Sequence, residues 1–125
     1  MNKISAAITA IGAYVPDYIL SNQLLETMVD TNDEWITTRT GIKERRILKD
    51  KDKGTSYLAI KAAQNLIDKK NINPSEIDMV IVATATPDMM VASTAAFVAT
   101  QVGAKNAFSY DLQAACSRFV YGMST

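Results

Sequence analysis

Apolar positions recur along this chain with two different periods. Stretches 79–83, Met-Val-Ile-Val-Ala, and 107–112, Ala-Phe-Ser-Tyr-Asp-Leu, are short apolar runs. The first is continuous, as expected of a strand covered on both faces. Elsewhere the period is helical. In 55–70, Leu58, Ala62 and Leu66 share one row and Ala59, Ala63 and Ile67 the next, with Thr55 or Ser56 as the cap and Lys69, Lys70 and Asn71 at the far end. Ser93 or Thr94 opens a further helix carrying Phe97, Val98 and Val102, which Gly103 stops. Upstream, 3–13 alternates loosely and predicts a strand ended by Gly12 and by Pro16-Asp17. Ser21 caps a predicted helix in which Leu24, Leu25 and Met28 share a face. Thr31 with Glu34 has capping-box form for a short helix holding Trp35, Thr38 and Arg39, ended by Gly41. The charged stretch 43–53 reads as a solvated loop, and Asn73-Pro74-Ser75-Glu76 as a single turn with Pro at its first position. The order strand, helices, strand, helix, strand, helix predicts an α/β fold with a largely parallel sheet and right-handed crossovers.

Two places in this order invite chemistry. Loop 84–88 lies at the C-terminal end of a strand, where α/β sheets place their ligands. After 107–112 come Ala114, Ala115 and the only cysteine, Cys116, and then Phe119, Val120 and Met123 at helical spacing. That pattern predicts a strand, a tight elbow, and the start of a buried helix, with the thiol at the elbow. Free N–H groups and the helix dipole favour negative charge at such a place, and the anionic form is the stronger nucleophile. From the cysteine alone, an inert core thiol is the alternative, since free Cys is among the most buried residue types.

Composition narrows the choice. A chain of 125 residues, 48% hydrophobic, is about one domain by length and has ample material for a core. Thirteen basic residues balance thirteen acidic ones, so no overall field draws the chain to nucleic acid or an anionic membrane. A lone cysteine forms no internal disulfide, which fits a reducing compartment. The N-terminus lacks the pattern of a signal peptide, and no apolar stretch approaches the ~20 residues of a membrane helix. The expectation is a soluble cytoplasmic protein. There is no histidine, so any imidazole chemistry must be supplied from outside these residues. Thr125 falls inside the helix expected to begin at Cys116, and the chain reads as the N-terminal piece of something longer.

Four blocks together carry a resemblance. Tyr14-Val15-Pro16, Asp30-Thr31-Asn32-Asp33-Glu34-Trp35-Ile36 with Arg39-Thr40-Gly41-Ile42, Ala83-Thr84-Ala85-Thr86-Pro87, and Asp111-Leu112-Gln113-Ala114-Ala115-Cys116 resemble the β-ketoacyl-acyl-carrier-protein synthase III family in order and spacing over essentially the whole chain. The resemblance implies a thiolase-like α/β fold, with 1–125 an incomplete N-terminal domain from a five-layer α-β-α-β-α architecture that ends inside the nucleophile-bearing helix. It implies that Cys116 takes an acyl group from acyl-CoA as a thioester, its backbone N–H serving an oxyanion hole. Trp35 matches a residue that stacks on the CoA adenine, and Arg39 and Thr31 match residues lining the same nucleotide end. It further implies condensation with malonyl-acyl-carrier-protein, a homodimer, and no metal or permanently bound cofactor. The family's catalytic histidine and asparagine lie in its second half. Near Val91-Ala92 many members have Phe-Pro, and at Arg118 the family usually has a small residue. A guanidinium at Arg118 opposes the helix dipole and needs a partner if the elbow is buried. The rival readings are another synthase of the same fold, of polyketide or HMG-CoA type, and a non-catalytic fragment with an exposed apolar face.

Overall fold

The computed structural model describes residues 6–125, which form two compact units. The smaller is Val15–Asp52, and the larger joins the residues up to Tyr14 with Lys53–Thr125.

The larger unit is built on a parallel strand pair. β3 (Met79–Ala83) lies beside β4 (Phe108–Leu112) in the register Met79↔Phe108 to Ala83↔Leu112. Helices α3 (Thr55–Lys70) and α4 (Thr94–Val102) pack together on one side of this pair. The core lies there: Ile67, Val98, Ala99, Val102 and Ala104, with Val80, Val82 and Ala107 against them. The alternate residues Ile81 and Ala83 line a small apolar hollow with Phe119, Gly122 and Met123 of α5 (Arg118–Ser124). β3 therefore meets helices on both faces, as its unbroken apolar run predicts. The helix ends follow the sequence signals. Asn71 and Gly103 close α3 and α4 in the left-handed conformation, with φ 50° and 83°, and Ser93 caps α4 by accepting from the Ala96 N–H. Pro74–Glu76 forms the expected single turn, as a 3₁₀ helix.

Several expectations need correction, two of them in the larger unit. Residues 6–13 make no ladder among the described residues, and the start of the predicted strand 3–13 lies outside them. This segment instead runs against α3, where the Ala13 N–H donates to Asn65 Oδ1. Gly12 permits the close approach: a Cβ there would collide with the Ala62 carbonyl and Leu66. Second, α3 is capped by neither Thr55 nor Ser56. Its N-cap is Gly54, which supplies no side chain, and the Ser56 N–H is taken by the distant Asp88 carboxylate at 3.0 and 3.2 Å. A Cβ at 54 would strike the Asp88 carboxylate, which would have to shift to admit it.

Further ones lie in the smaller unit. The charged stretch contains β2 (Glu44–Arg46), antiparallel to β1 (Ile19–Ser21). Each strand is only three residues long, too short to show a period, and the partners lie 23 to 27 positions apart in sequence. Helix α1 (Asn22–Glu26) is capped by Ser21 as expected, but ends before Met28. Helix α2 (Asp33–Thr40) starts from Asn32 rather than Thr31, with the Asn32 side chain accepting from the Trp35 N–H at 2.7 Å. Asn is the stronger N-cap, and the shift by one residue removes Glu34 from the reciprocal position of a capping box. Glu26 of α1 accepts from the Asp33 N–H instead. Gly41 ends α2 at φ 71°. None of the helices described is long and apolar enough to cross a membrane.

Candidate active site

The elbow is present. β4 ends at Leu112, whose carbonyl accepts from the Thr84 N–H, and the chain reverses through Gln113 and Ala114. Ala115 takes the left-handed conformation, φ 43°, rare for a residue with a Cβ. Cys116 follows within a 3₁₀ turn, Ala115–Ser117, and α5 begins only at Arg118. The helix was expected to start at Cys116 itself. The reversal is tighter than an α-helical start and uses one extra turn. Cys116 is exposed, and all of α5 lies outside the buried core. Arg118, expected to need a partner, has one: its Nη1 donates to the Ala115 carbonyl at 2.6 Å, tying the guanidinium to the backbone of the elbow.

What sequence reading missed here is Asp111. Its carboxylate accepts from Ser93 Oγ at 3.2 Å and from the backbone N–H groups of Thr94 and Ala95 at 2.8 and 2.7 Å. A strand residue thus caps the N-terminus of α4 from outside that helix. The lone Asp inside an otherwise apolar run was the available signal, since a half-buried carboxylate must find donors. Loop 84–93 arches over the same strand end, and Thr84, Pro87, Met89, Asp111 and Gln113 line a shallow cavity there. Its tip is bare: Met90 and Val91 are 99% and 100% exposed. Thr55 Oγ1 donates to the Thr86 carbonyl at 2.6 Å, holding the loop's base to α3.

The smaller unit brings the other three predicted site residues together. Trp35 is 52% exposed, and with Asp30, Thr31 and Asn32 it lines a separate shallow cavity. The Arg39 guanidinium lies over the indole, 4.6 Å from the ring centroid, so one face of Trp35 is already covered by a cation. Beneath them is a second feature that sequence reading missed. Asn22 is fully buried and donates to Asp33 Oδ1 and to the Ile42 carbonyl, both at 2.7 Å, while its Oδ1 accepts from Arg45. Thr37 Oγ1 donates to the same Asp33 oxygen at 3.2 Å. This network joins α1, α2 and β2 and holds the helix that presents Trp35 and Arg39.

No protein-family model matches the chain. Individual relatives do. The β-ketoacyl-[acyl-carrier-protein] synthase III of Porphyromonas gingivalis is 58% identical over 123 residues, which is 98% of this chain and 37% of that protein. The enzyme of the same name from Chlorobaculum tepidum is 57% identical over 122 residues, again 37% of its length. Among solved structures, 3-oxoacyl-[acyl-carrier-protein] synthase III from Aquifex aeolicus superposes with a TM-score of 0.86 at 46% identity, covering 92% of this chain and 37% of that one. The priming β-ketosynthase of the R1128 polyketide pathway gives 0.85 at 35% identity, covering 92% and 34%. The chain thus spans little more than a third of the length of the relatives it matches. Along its own length the chain is similar to β-ketoacyl-[acyl-carrier-protein] synthase III enzymes and carries part of the thiolase-like fold.

Proposed function

We propose that the protein containing this chain transfers an acyl group from acyl-CoA to Cys116 and then condenses it with malonyl-acyl-carrier-protein, releasing CO2 and CoA. In the first step the Cys116 sulfur attacks the thioester carbonyl, the C–S bond to CoA breaks, and CoA leaves as the thiol. The oxyanion formed on the way is held by backbone donors, the Cys116 N–H among them. In the smaller unit, Trp35 offers the indole face not covered by Arg39 to a purine. Arg39 supplies charge and Thr31 a hydroxyl to the nucleotide end. Malonyl decarboxylation falls to groups outside this chain, which has no histidine. The working enzyme is a cytoplasmic homodimer with no resident cofactor.

One observation carries the reading: a single cysteine stands exposed at a strand-to-helix reversal, directly after a left-handed Ala115. Such a position exposes sulfur and backbone donors together, whereas a packing cysteine would be buried. The test is mass spectrometry of the full-length protein after incubation with acetyl-CoA. The tryptic peptide bearing Cys116 is expected to gain one acetyl group, and Cys116→Ser to take none onto a thiol. Acetylation elsewhere with Cys116 untouched would overturn the proposal.

A further inference from the structure

Both ends of loop 84–93 are fastened to consecutive residues of the strand that leads to the cysteine. At the near end, the Thr84 N–H donates to the Leu112 carbonyl at 3.1 Å. At the far end, Ser93, Thr94 and Ala95 donate three hydrogen bonds to the Asp111 carboxylate. The loop and the strand end therefore close into a ring, with the elbow beginning one residue beyond it. The far fastening is well sheltered, since Thr94 is 3% exposed and Ala95 0%. Charge-assisted bonds of this kind are about twice as strong as neutral ones.

A left-handed Ala115 persists only where its surroundings hold it there. Beyond Leu112, the described hydrogen bonds at the elbow are local, from Ser117 N–H to the Ala114 carbonyl and from Arg118 to that of Ala115. The end of β4 is held by its ladder with β3 and by this fastening at 111 and 112, and α5 rests on β3 beyond the elbow. We infer that Asp111 is a positioning residue for Cys116: by clamping the start of α4 it holds the end of β4, and through it the elbow, in the geometry that presents the sulfur. The kinetic consequence rests on the acyl-transfer reading above.

The experiment uses the full-length protein at a temperature where all variants are folded by circular dichroism. Asp111→Asn places an amide NH2 against backbone donors and is expected to slow acylation of Cys116 at saturating acyl-CoA about tenfold, with KM changed less than about twofold. It should slow alkylation of Cys116 by iodoacetamide in parallel, a reaction that needs no CoA ester. A wild-type protein that alkylates but never acylates would therefore count against the proposed function, while leaving this inference to be judged on alkylation. Asp88→Asn is the comparison: it loosens the same loop from α3, and is expected to lower Tm while leaving both Cys116 rates within about twofold. Should Asp111→Asn not fold, Ser93→Ala removes one donor and should shift both rates the same way by about twofold. Wild-type Cys116 rates in folded Asp111→Asn, or in Ser93→Ala where that is the variant used, would overturn the assignment.

Discussion

At the scale of single residues, the strongest constraints are steric or electrostatic exceptions. Ala115 holds φ 43°, where a β-branched side chain clashes with its own backbone. Ala115→Val is expected to lower stability by about 1–3 kcal/mol and Ala115→Gly to leave it unchanged or slightly raised, both read from chemical denaturation. Asn22 has no exposed surface and binds three polar neighbours. Asn22→Leu keeps the volume but strands those groups, and should cost about 1–3 kcal/mol with loss of the smaller unit's amide protection in hydrogen exchange. Cys116, Trp35, Arg39 and Thr31 could be singled out as candidates because their motifs are distinctive. Asn22 and Asp111 were not, because a buried polar residue declares itself only through partners that the fold brings from 11 to 23 and from 16 to 18 positions away.

At the scale of elements, periodicity sufficed where an element buries an apolar stripe and failed where it does not. Helices α3 and α4 and strand β3 contribute to one core, which Ala107 joins just before β4, and each of these elements and β4 was readable from spacing or run length. β1 and β2 contribute nothing to that core, and they pair Ile19, Leu20 and Ser21 with the charged residues Arg46, Arg45 and Glu44. The start of α3 was misread for a related reason. Local capping residues are present at Thr55 and Ser56, yet the acceptor comes from Asp88, a third of the unit away in sequence. Gly54→Ala tests that assignment. Its Cβ would displace the Asp88 carboxylate, and the variant should lose about 1–2 kcal/mol, a loss that Asp88→Ala largely shares rather than adds to. Full additivity of the two would show that the contact contributes little.

At the scale of the whole molecule, α5 is the part least supported by this chain. Phe119, Val120, Tyr121 and Met123 are each more than half exposed, and no residue of the helix is buried. Exposed apolar surface of this density drives association. The isolated 125-residue chain is expected to sediment as a mixture of oligomers at micromolar concentration, and Phe119→Ser with Met123→Ser to shift it toward monomer. A clean monomer without those changes would refute this. The chain alone is also expected to show no condensation, for want of an imidazole. The pairing Val82↔Asp111 has one last consequence, for folding. A slip of one residue between these strands would send the aspartate to the α5 side and put Tyr110 or Leu112 where the amides of α4 wait for an anion. Misaligned chains would thus forfeit a charged contact as well as apolar packing, so the carboxylate proofreads strand alignment while the sheet assembles.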